Sequence, residues 1–306
     1  LDETAGWREG RMAPRPLRHA LDLHRQLKEA DAPTVAATLR QLGEELEELT
    51  FEQMRGCKSA LGMSTSAFTA YLAHPDGAVV DAAAELVNIL AGRGAYTRTV
   101  KLGPPDASLE LSLFERQGEG SVALRLWRSA LVLSEHIIRN RFCSLDGKRV
   151  LELGCGLALP GLVCAAARAS SVCVTDHSAE SLALARRNAA RNGLQKIVEA
   201  HLLDWEAPQA SSVAAQPGFD LIVAADVCYE MTVSESLAAL LPQLLQAGPT
   251  SRVIMVLDAD DARLPCMRGS VSAFVSVMEQ RAEMLCIHDE VEESDASIRT
   301  LVYAWA

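Results

Sequence analysis

Hydrophobic and polar positions change their spacing near residue 100 of this chain. Between Leu17 and about Gly94, apolar residues recur at helical spacing, with charged residues between them. Val79–Leu90 is one such amphipathic segment, and Thr50 is expected to cap the start of another helix. We therefore predict a small helical module of three to five helices over residues 1–100.

The helical pattern breaks between Gly92 and Gly120. This stretch contains Gly103-Pro104-Pro105, which interrupts helices, and the alternating run LELSLF (109–114), which is typical of a β-strand or one arm of a hairpin. We place the boundary between two domains here, with the second domain over residues 108–306.

From Val122 onward, short β-rich apolar runs alternate with helical patterns. The predicted strands are RVLELG (149–154), SVCVTD (171–176), KIVEAHLLD (196–204), DLIVAAD (220–226) and RVIMVLD (252–258). The predicted helices are Leu124–Arg139, Pro160–Ala167, Ala179–Asn192, Val233–Gln246 and Val271–Arg281. Apolar strands separated by helices predict βαβ units and a parallel sheet covered on both faces.

The chain ends in two further strand-like runs, MLCIHDEV (284–291) and SIRTLVYAW (297–305), joined by the acidic turn Glu292–Asp295. Because no helix separates them, they are expected to pair antiparallel. The predicted fold is thus α/β, a Rossmann-like sheet of seven strands preceded by an all-α N-terminal domain.

Composition narrows the class of protein. Of the 306 residues, 49% are hydrophobic and 23% charged, which excludes a collagen-like, coiled-coil or largely disordered chain. No apolar run approaches the roughly 20 residues of a membrane helix, and Leu1–Pro16 lacks the apolar core of a signal peptide. The formal net charge of −11 opposes general binding to nucleic acid and suits a basic protein partner.

None of the eight cysteines forms a C-x-x-C pair, and most lie inside apolar runs. They are expected to be small buried hydrophobes, not metal ligands or disulfides, in a reducing compartment. We therefore expect a cytoplasmic location, with the nucleus as a second one.

The strongest chemical signal is VLELGCGLALPG (150–161), in which a strand runs into a glycine turn and then a helix. Gly154 and Gly156 let the backbone turn tightly and approach a ligand closely. The third glycine of a dinucleotide motif is absent, since position 159 is Leu. Glu152 would oppose a pyrophosphate but tolerate a ligand that carries a sulfonium and an ammonium group. The turn thus favours S-adenosylmethionine over NAD, with a tight turn that binds no ligand as the alternative.

Three acidic positions follow successive strands. Asp176 ends the second strand of this sheet, where an acid accepts hydrogen bonds from ribose hydroxyls, although it could instead cap the next helix. Asp204 could accept the adenine amino group and Trp205 could stack on the purine, or the indole could simply pack on the domain surface. Asp226 and Tyr229 end the fourth strand, where the transferred methyl group is expected. The alternative there is a helix cap followed by a core tyrosine.

Together with WRSALVL (127–133), the segments VLELGCGLALPG, VTD, LDW and AADVCY resemble the methyltransferase-like class I branch of protein-lysine methyltransferases, which share the seven-strand layout. The resemblance covers about residues 108–306. It implies S-adenosylmethionine as cofactor and a lysine-bearing protein, such as an elongation factor or a chaperone, as substrate.

The resemblance also assigns roles to single residues. It implies that Trp127, in the helix before the glycine turn, contacts the cofactor and that Gly154, Cys155 and Gly156 form the glycine turn that binds it. It implies further that Ala225 lines the floor of the site. Two departures stand out: Arg128 replaces the acid or amide that often follows the tryptophan, and the turn is GCG where GAG or GSG is commoner.

The N-terminal module resembles the small helical domain at the N-terminus of transcription elongation factor S-II, which docks short acidic, hydrophobic peptides. The usual Trp-Lys at its end is Ile89-Leu90 here. The alternative is a helical spacer unique to this protein.

The sequence therefore predicts a two-part protein-lysine methyltransferase. The alternatives are a methyltransferase for nucleic acid or a small molecule, and a non-catalytic binding module that keeps the fold. A nucleic-acid base enzyme would often carry an N/D-P-P-Y/F motif after the fourth strand, and DVCY is not that motif. No metal and no membrane partner are expected.

Overall fold

The computed structural model describes residues 31–47, 68, 71, 74–88, 95–116, 125–259, 269–293 and 295–306. The chain forms two compact units. The first unit comprises residues 1–99 and 112–125, and the second comprises residues 100–111 and 126–306. Thr50 and most of the segment that resembles the S-II domain lie outside the described residues.

Two helices of the first unit are described, α1 (Ala32–Glu47) and α2 (Gly77–Asn88), and they pack against each other. Asp31 starts α1 by accepting a hydrogen bond from the backbone N–H of Thr34 at 3.1 Å. Their buried apolar side chains are Val35, Ala36, Leu39, Leu42, Leu46, Val79, Ala82, Ala83 and Leu86. Apart from the adjacent pairs at 35–36 and 82–83, these positions are three or four residues apart, so each helix buries one apolar stripe.

Strands β1 (Ala95–Leu102) and β2 (Leu109–Arg116) form a two-stranded sheet. The run LELSLF is thus one arm of a hairpin, and Gly103-Pro104-Pro105 lies in its connection. The other arm, AYTRTVKL, does not alternate clearly enough between apolar and polar residues for the sequence to reveal it.

The second unit is built on a seven-stranded sheet. Its strands are β3 (Arg149–Leu153), β4 (Ser171–Asp176), β5 (Val198–Leu202), β6 (Leu221–Ala225), β7 (Arg252–Asp258), β8 (Met284–Glu292) and β9 (Asp295–Trp305). Their order is β5-β4-β3-β6-β7-β9-β8. The first five strands are parallel, whereas β9 is antiparallel to both β7 and β8. This confirms the predicted fold class.

Five helices cover the sheet in the part of the second unit that the structure describes. They are α3 (Arg128–Ile138), α4 (Leu159–Ala166), α5 (Ala179–Arg191), α6 (Met231–Leu244) and α7 (Ser270–Glu279). Helices α6 and α7 pack in one apolar cluster with the sheet, and α3, α4 and α5 lie on the opposite face. None of the described helices is long and apolar enough to cross a membrane.

Where the observed bounds differ from the predicted ones, the hydrogen bonds show why. Helix α6 ends at Leu244, before the predicted end at Gln246, because Gln246 donates to the Phe219 carbonyl at 2.8 Å and Phe219 donates to the Leu244 carbonyl at 2.9 Å. These bonds form an isolated parallel bridge beside β6. Helix α3 begins at Arg128 because Trp127 is extended, so the tryptophan precedes the helix instead of lying within it as predicted.

Candidate active site

The glycine turn after β3 follows a backbone path that few side chains allow. Gly154 and Gly156 have positive φ angles of 62° and 49°, and Ala158, the N-cap of α4, has a φ of 62°. A Cβ at Gly154 would lie 2.8 Å from Val227 Cγ1 and 3.5 Å from two atoms of the Trp205 ring. The turn is therefore packed against the residue after Asp226 on one side and against the indole of Trp205 on another.

Three hydrogen bonds hold the turn in place. Cys155 N donates to the Thr175 carbonyl at 2.8 Å, and Ala158 N donates to the Cys155 carbonyl at 2.6 Å. Asn188 Nδ2, on α5, donates to the Leu157 carbonyl at 3.1 Å. Asn188 was missed by the sequence analysis. The sequence signal for Asn188 is an amide side chain on the apolar stripe of a helix. An amide that is fully buried there requires a buried hydrogen-bond partner.

Glu152 points away from the turn into the contact between β3 and α4. Its side chain is 2% exposed, and its Oε2 accepts a hydrogen bond from Gly161 N at 2.9 Å. Burial raises the pKa of this carboxyl well above its usual value of 4.5, with a further increase from the nearby Asp176 charge. A direct contact between Glu152 and a cofactor stays a prediction.

Asp176 lies beside the turn at the end of β4. Its Oδ2 accepts a hydrogen bond from Gly156 N at 3.1 Å and its Oδ1 accepts one from Ser178 N at 2.9 Å. Ser178, not Asp176, is the N-cap of α5, since its hydroxyl accepts from Ser181 N at 3.3 Å. The carboxylate therefore faces the turn. Because His177 Nδ1 also lies 3.5 Å from Oδ1, the oxygen that keeps a lone pair for a ligand is Oδ2.

Asp204 and Trp205 follow β5 and differ in burial. Asp204 is exposed and accepts a hydrogen bond from Glu206 N at 2.9 Å. Trp205 is half-buried against the apolar cluster of α6 and α7, and its Nε1 is buried without a hydrogen-bond partner within the described part of the chain. The Trp205 indole thus has an N–H without a partner among the described residues and lies next to the glycine turn, where no side chain fits. These two features suit a flat polar ring such as adenine.

The segment after β6 carries Ala225, Asp226 and Tyr229. Asp226 has a left-handed φ of 53°, and its N–H donates to the Val256 carbonyl at 2.9 Å. Burial raises the pKa of the Tyr229 hydroxyl, and the negative charges of Asp176 and Glu230 raise it further, so Tyr229 remains a neutral phenol at neutral pH. Because β4 and β6 both pair parallel with β3, their carboxyl ends lie at the same edge of the sheet.

Trp127 and Arg128 lie at the start of α3, which packs against β6, β7 and α4. The Trp127 side chain is 40% exposed. The Arg128 Nε lies 2.7 Å from Asp295 Oδ2 at the start of β9. Asp295 belongs to the predicted acidic turn, but no sequence pattern indicates its partner, which lies more than 160 positions away.

Cysteine chemistry has no role in this arrangement. Burial raises the pKa of the Cys155 thiol well above its usual value, and the neighbouring carboxylates of Glu152 and Asp176 raise it further, so the group stays a neutral thiol. Of the six cysteines described, four are buried, Cys143 is intermediate and Cys286 is exposed. Among the described residues, no cluster of His, Cys, Asp and Glu is arranged to hold a metal ion.

A seven-stranded sheet in this order, with a glycine turn after its first parallel strand and acids at the strand ends, defines the class I methyltransferases that use S-adenosylmethionine. The chain belongs to the lysine methyltransferase family, whose model matches residues 106–281.

Three curated relatives illustrate the similarity. Protein N-lysine methyltransferase METTL21A of Danio rerio is 36% identical over 134 residues, which are 42% of this chain and 58% of that protein. Calmodulin-lysine N-methyltransferase of Arabidopsis thaliana is 36% identical over 132 residues, 42% of each chain. Histone-arginine methyltransferase METTL23 of Mus musculus is 33% identical over 127 residues, 40% of this chain and 48% of that protein. The matched segments thus span about half the length of these relatives.

Proposed function

We propose that this protein transfers a methyl group from S-adenosylmethionine to a lysine side chain of another protein. The observation that carries the proposal is the close packing of Val227 against Gly154. It brings the end of β6, with Asp226 and Tyr229, to the glycine turn, so that a cofactor held by the turn and an acceptor beside β6 would meet. The family and two of the three curated relatives support lysine as the acceptor.

Several residues are suited to hold the cofactor. The turn of Gly154, Cys155 and Gly156 would hold the cofactor through its backbone, and the carboxylate of Asp176 beside it would accept hydrogen bonds from ribose hydroxyls. The Trp205 indole would flank the adenine, with Asp204 near its amino group. Trp127 would contact the cofactor from the start of α3, and Ala225 would line the floor. When bound, S-adenosylmethionine supplies an electrophilic methyl group.

The other requirement is a neutral amine aligned with that methyl group. A free lysine has a pKa of about 10.4, so the side chain must lose a proton before it can attack. The carboxylate of Asp226 is suited to accept hydrogen bonds from the amine and to fix the direction of its lone pair. Because Tyr229 stays protonated, it can orient the amine by hydrogen bonding but does not act as the base at neutral pH.

The two-part organisation and the partners belong to the same proposal. Residues 108–306 would form the catalytic domain, and the helical module over residues 1–100 would dock a short acidic, hydrophobic peptide. The net charge of −11 suits a basic, lysine-bearing substrate such as an elongation factor or a chaperone. Buried thiols such as Cys155 and Cys164 agree with a cytoplasmic or nuclear location.

Labelling with tritiated S-adenosylmethionine tests the proposal. The full chain is incubated with a cell extract, which is then digested with either protease or nuclease. We expect label that protease releases and nuclease leaves in place, and acid hydrolysis of the labelled band should yield methyl-lysines. Mass spectrometry of that band would identify the substrate and the number of methyl groups.

Other products of the same experiment would contradict the proposal. Methyl-arginine would make the protein an arginine methyltransferase, as METTL23 is named. Label released by nuclease would indicate a nucleic-acid substrate, and label on small molecules a metabolic one. Binding of the cofactor by calorimetry without any transfer would indicate a non-catalytic module.

A further inference from the structure

An ion pair lies at the carboxyl edge of the sheet, next to the residues assigned to the site. Arg128 Nε is 2.7 Å from Asp295 Oδ2, and the Arg128 side chain is 65% exposed whereas that of Asp295 is 13% exposed. The other oxygen of Asp295 accepts hydrogen bonds from Ser297 N at 3.1 Å and from its hydroxyl at 2.7 Å. These bonds and the Arg128 charge lower the pKa of Asp295, so its carboxylate is ionised at neutral pH.

The strand pairing shows where this pair lies. Asp295 begins β9, whose residue Ile298 pairs with Asp258 at the carboxyl end of β7. Strand β7 is the neighbour of β6, the strand that leads into Asp226, so β9 is two strand spacings, about 10 Å, from β6. Arg128 directly follows Trp127, the proposed cofactor contact. The ion pair therefore lies beside the approach to the proposed methyl-transfer position.

The pair contributes little to stability, because the Arg128 side chain is largely exposed and its charge is screened by water and by salt. Its effect on an approaching substrate is larger. A lysine side chain reaches the site as a cation, since its pKa in water is about 10.4. An unpaired guanidinium beside the approach would repel it, and an adjacent carboxylate cancels most of that repulsion.

We propose that Asp295 is a positioning residue that masks the charge of Arg128 and thereby admits a cationic lysine to the site. This inference rests on the proposed lysine methyltransferase function. It predicts different effects for the two partners of the ion pair: removal of Asp295 must weaken substrate binding, whereas removal of Arg128 must not weaken it. If the pair only held α3 against β9, both removals would act in the same direction.

The experiment compares Asp295→Asn, Arg128→Gln and the double variant in the full chain. Tritiated S-adenosylmethionine is kept saturating, and a total cell-protein extract is titrated as the acceptor. At low ionic strength, Asp295→Asn should raise the extract concentration that gives half-maximal rate by about three- to fivefold, with an unchanged maximal rate. Arg128→Gln should leave that concentration unchanged or lower it, and the double variant should return it to the value of the unmodified protein.

Two controls separate charge from structure. Asp289→Asn removes a similar partner, since Asp289 makes two 2.7 Å hydrogen bonds to Arg299 between β8 and β9, and it should change nothing. Cofactor affinity by calorimetry should stay the same in every variant. In about 0.5 M salt the effect of Asp295→Asn should shrink to less than about twofold.

Several results would overturn the inference. A rise in the half-maximal concentration for Arg128→Gln, or a double variant worse than either single one, would indicate a structural role. If the unmodified protein is active and Asp295→Asn leaves the half-maximal extract concentration unchanged, charge masking is contradicted but the proposed function is not. An unmodified protein that labels no extract protein would overturn the proposed function, and this inference with it.

Discussion

Asp226 combines a functional position with a costly backbone. Its φ of 53° lies in the left-handed region, which Asp and Asn tolerate better than most residues but which still disfavours a side chain by about 1–2 kcal/mol. The hydrogen bond from its N–H to Val256 keeps it there. Strain of this kind persists where surrounding structure enforces it, often at active sites. The conformation supports the proposed role of Asp226 in positioning the amine.

Two substitutions at this residue separate the carboxylate from the backbone. Asp226→Asn keeps a residue that tolerates the left-handed conformation and should lower the rate of transfer at least about 100-fold. Asp226→Ala should abolish transfer as well. Because Asp tolerates the left-handed region better than Ala, it should also reduce the free energy of unfolding by up to about 1 kcal/mol. Both should bind the cofactor as the unmodified protein does, as measured by calorimetry. Full activity in either variant would contradict the assignment.

Burial of the Glu152 carboxyl makes the free energy of unfolding depend on pH. Because the pKa of Glu152 is raised in the folded state, the folded protein keeps this carboxyl protonated at pH values above 4.5, where the unfolded chain has released the proton. The free energy of unfolding therefore falls as the pH rises from there through the folded pKa. The neutral Glu152→Gln variant lacks this contribution.

We expect Glu152→Gln to lose less stability than the unmodified protein as the pH rises above about 4.5. Urea unfolding followed by circular dichroism at a series of pH values measures the difference. If Glu152 contacts the cofactor as predicted, the same variant should also lower cofactor affinity measured by calorimetry. An unchanged affinity would contradict that contact and leave the hydrogen bond from Gly161 N as the role of the carboxyl.

At the scale of elements, the contact between β3 and α4 leaves no room for a side chain at Gly161. A Cβ there would lie 2.5 Å from Glu152 Oε2 and 2.6 Å from Val174 Cγ1. Gly161→Ala should therefore reduce the free energy of unfolding by about 1–3 kcal/mol, although alanine is the better helix former. Gly248→Ala, where a Cβ meets only Ser251 Oγ at 3.2 Å, is the control in the same urea experiment and should change stability less.

The sequence predicts elements well where burial determines composition. The bounds of β4 and β7 match the predicted runs, because strands buried on both faces are continuous apolar segments. The start of β5 does not match, because Ile197 N bonds back to the Leu194 carbonyl in a turn, which is a contact that no periodicity encodes.

The candidate site follows the same rule. Residues in motifs, such as Gly154 and Asp176, could be found because their type and spacing are set by the ligand that they are proposed to hold. Asn188, Asp295 and the left-handed conformation of Asp226 could not, because each depends on a partner that only the folded chain brings near. Arg128 was noticed as a departure, but its partner was not.

At the scale of the whole molecule, the order of strands determines when the site can form. Strand β3 pairs with β4, which follows it closely, but also with β6, since Leu151 lies opposite Ile222, about seventy positions along the chain. Closing the long loop between β3 and β6 costs more conformational entropy than forming the local β3–β4 and β4–β5 units. The β3–β6 pairing is therefore expected to form more slowly. During synthesis, the glycine turn can therefore emerge and fold long before Val227 arrives to close one of its sides. A nascent chain would complete its methyl-transfer centre late, once the β6 segment has inserted beside β3.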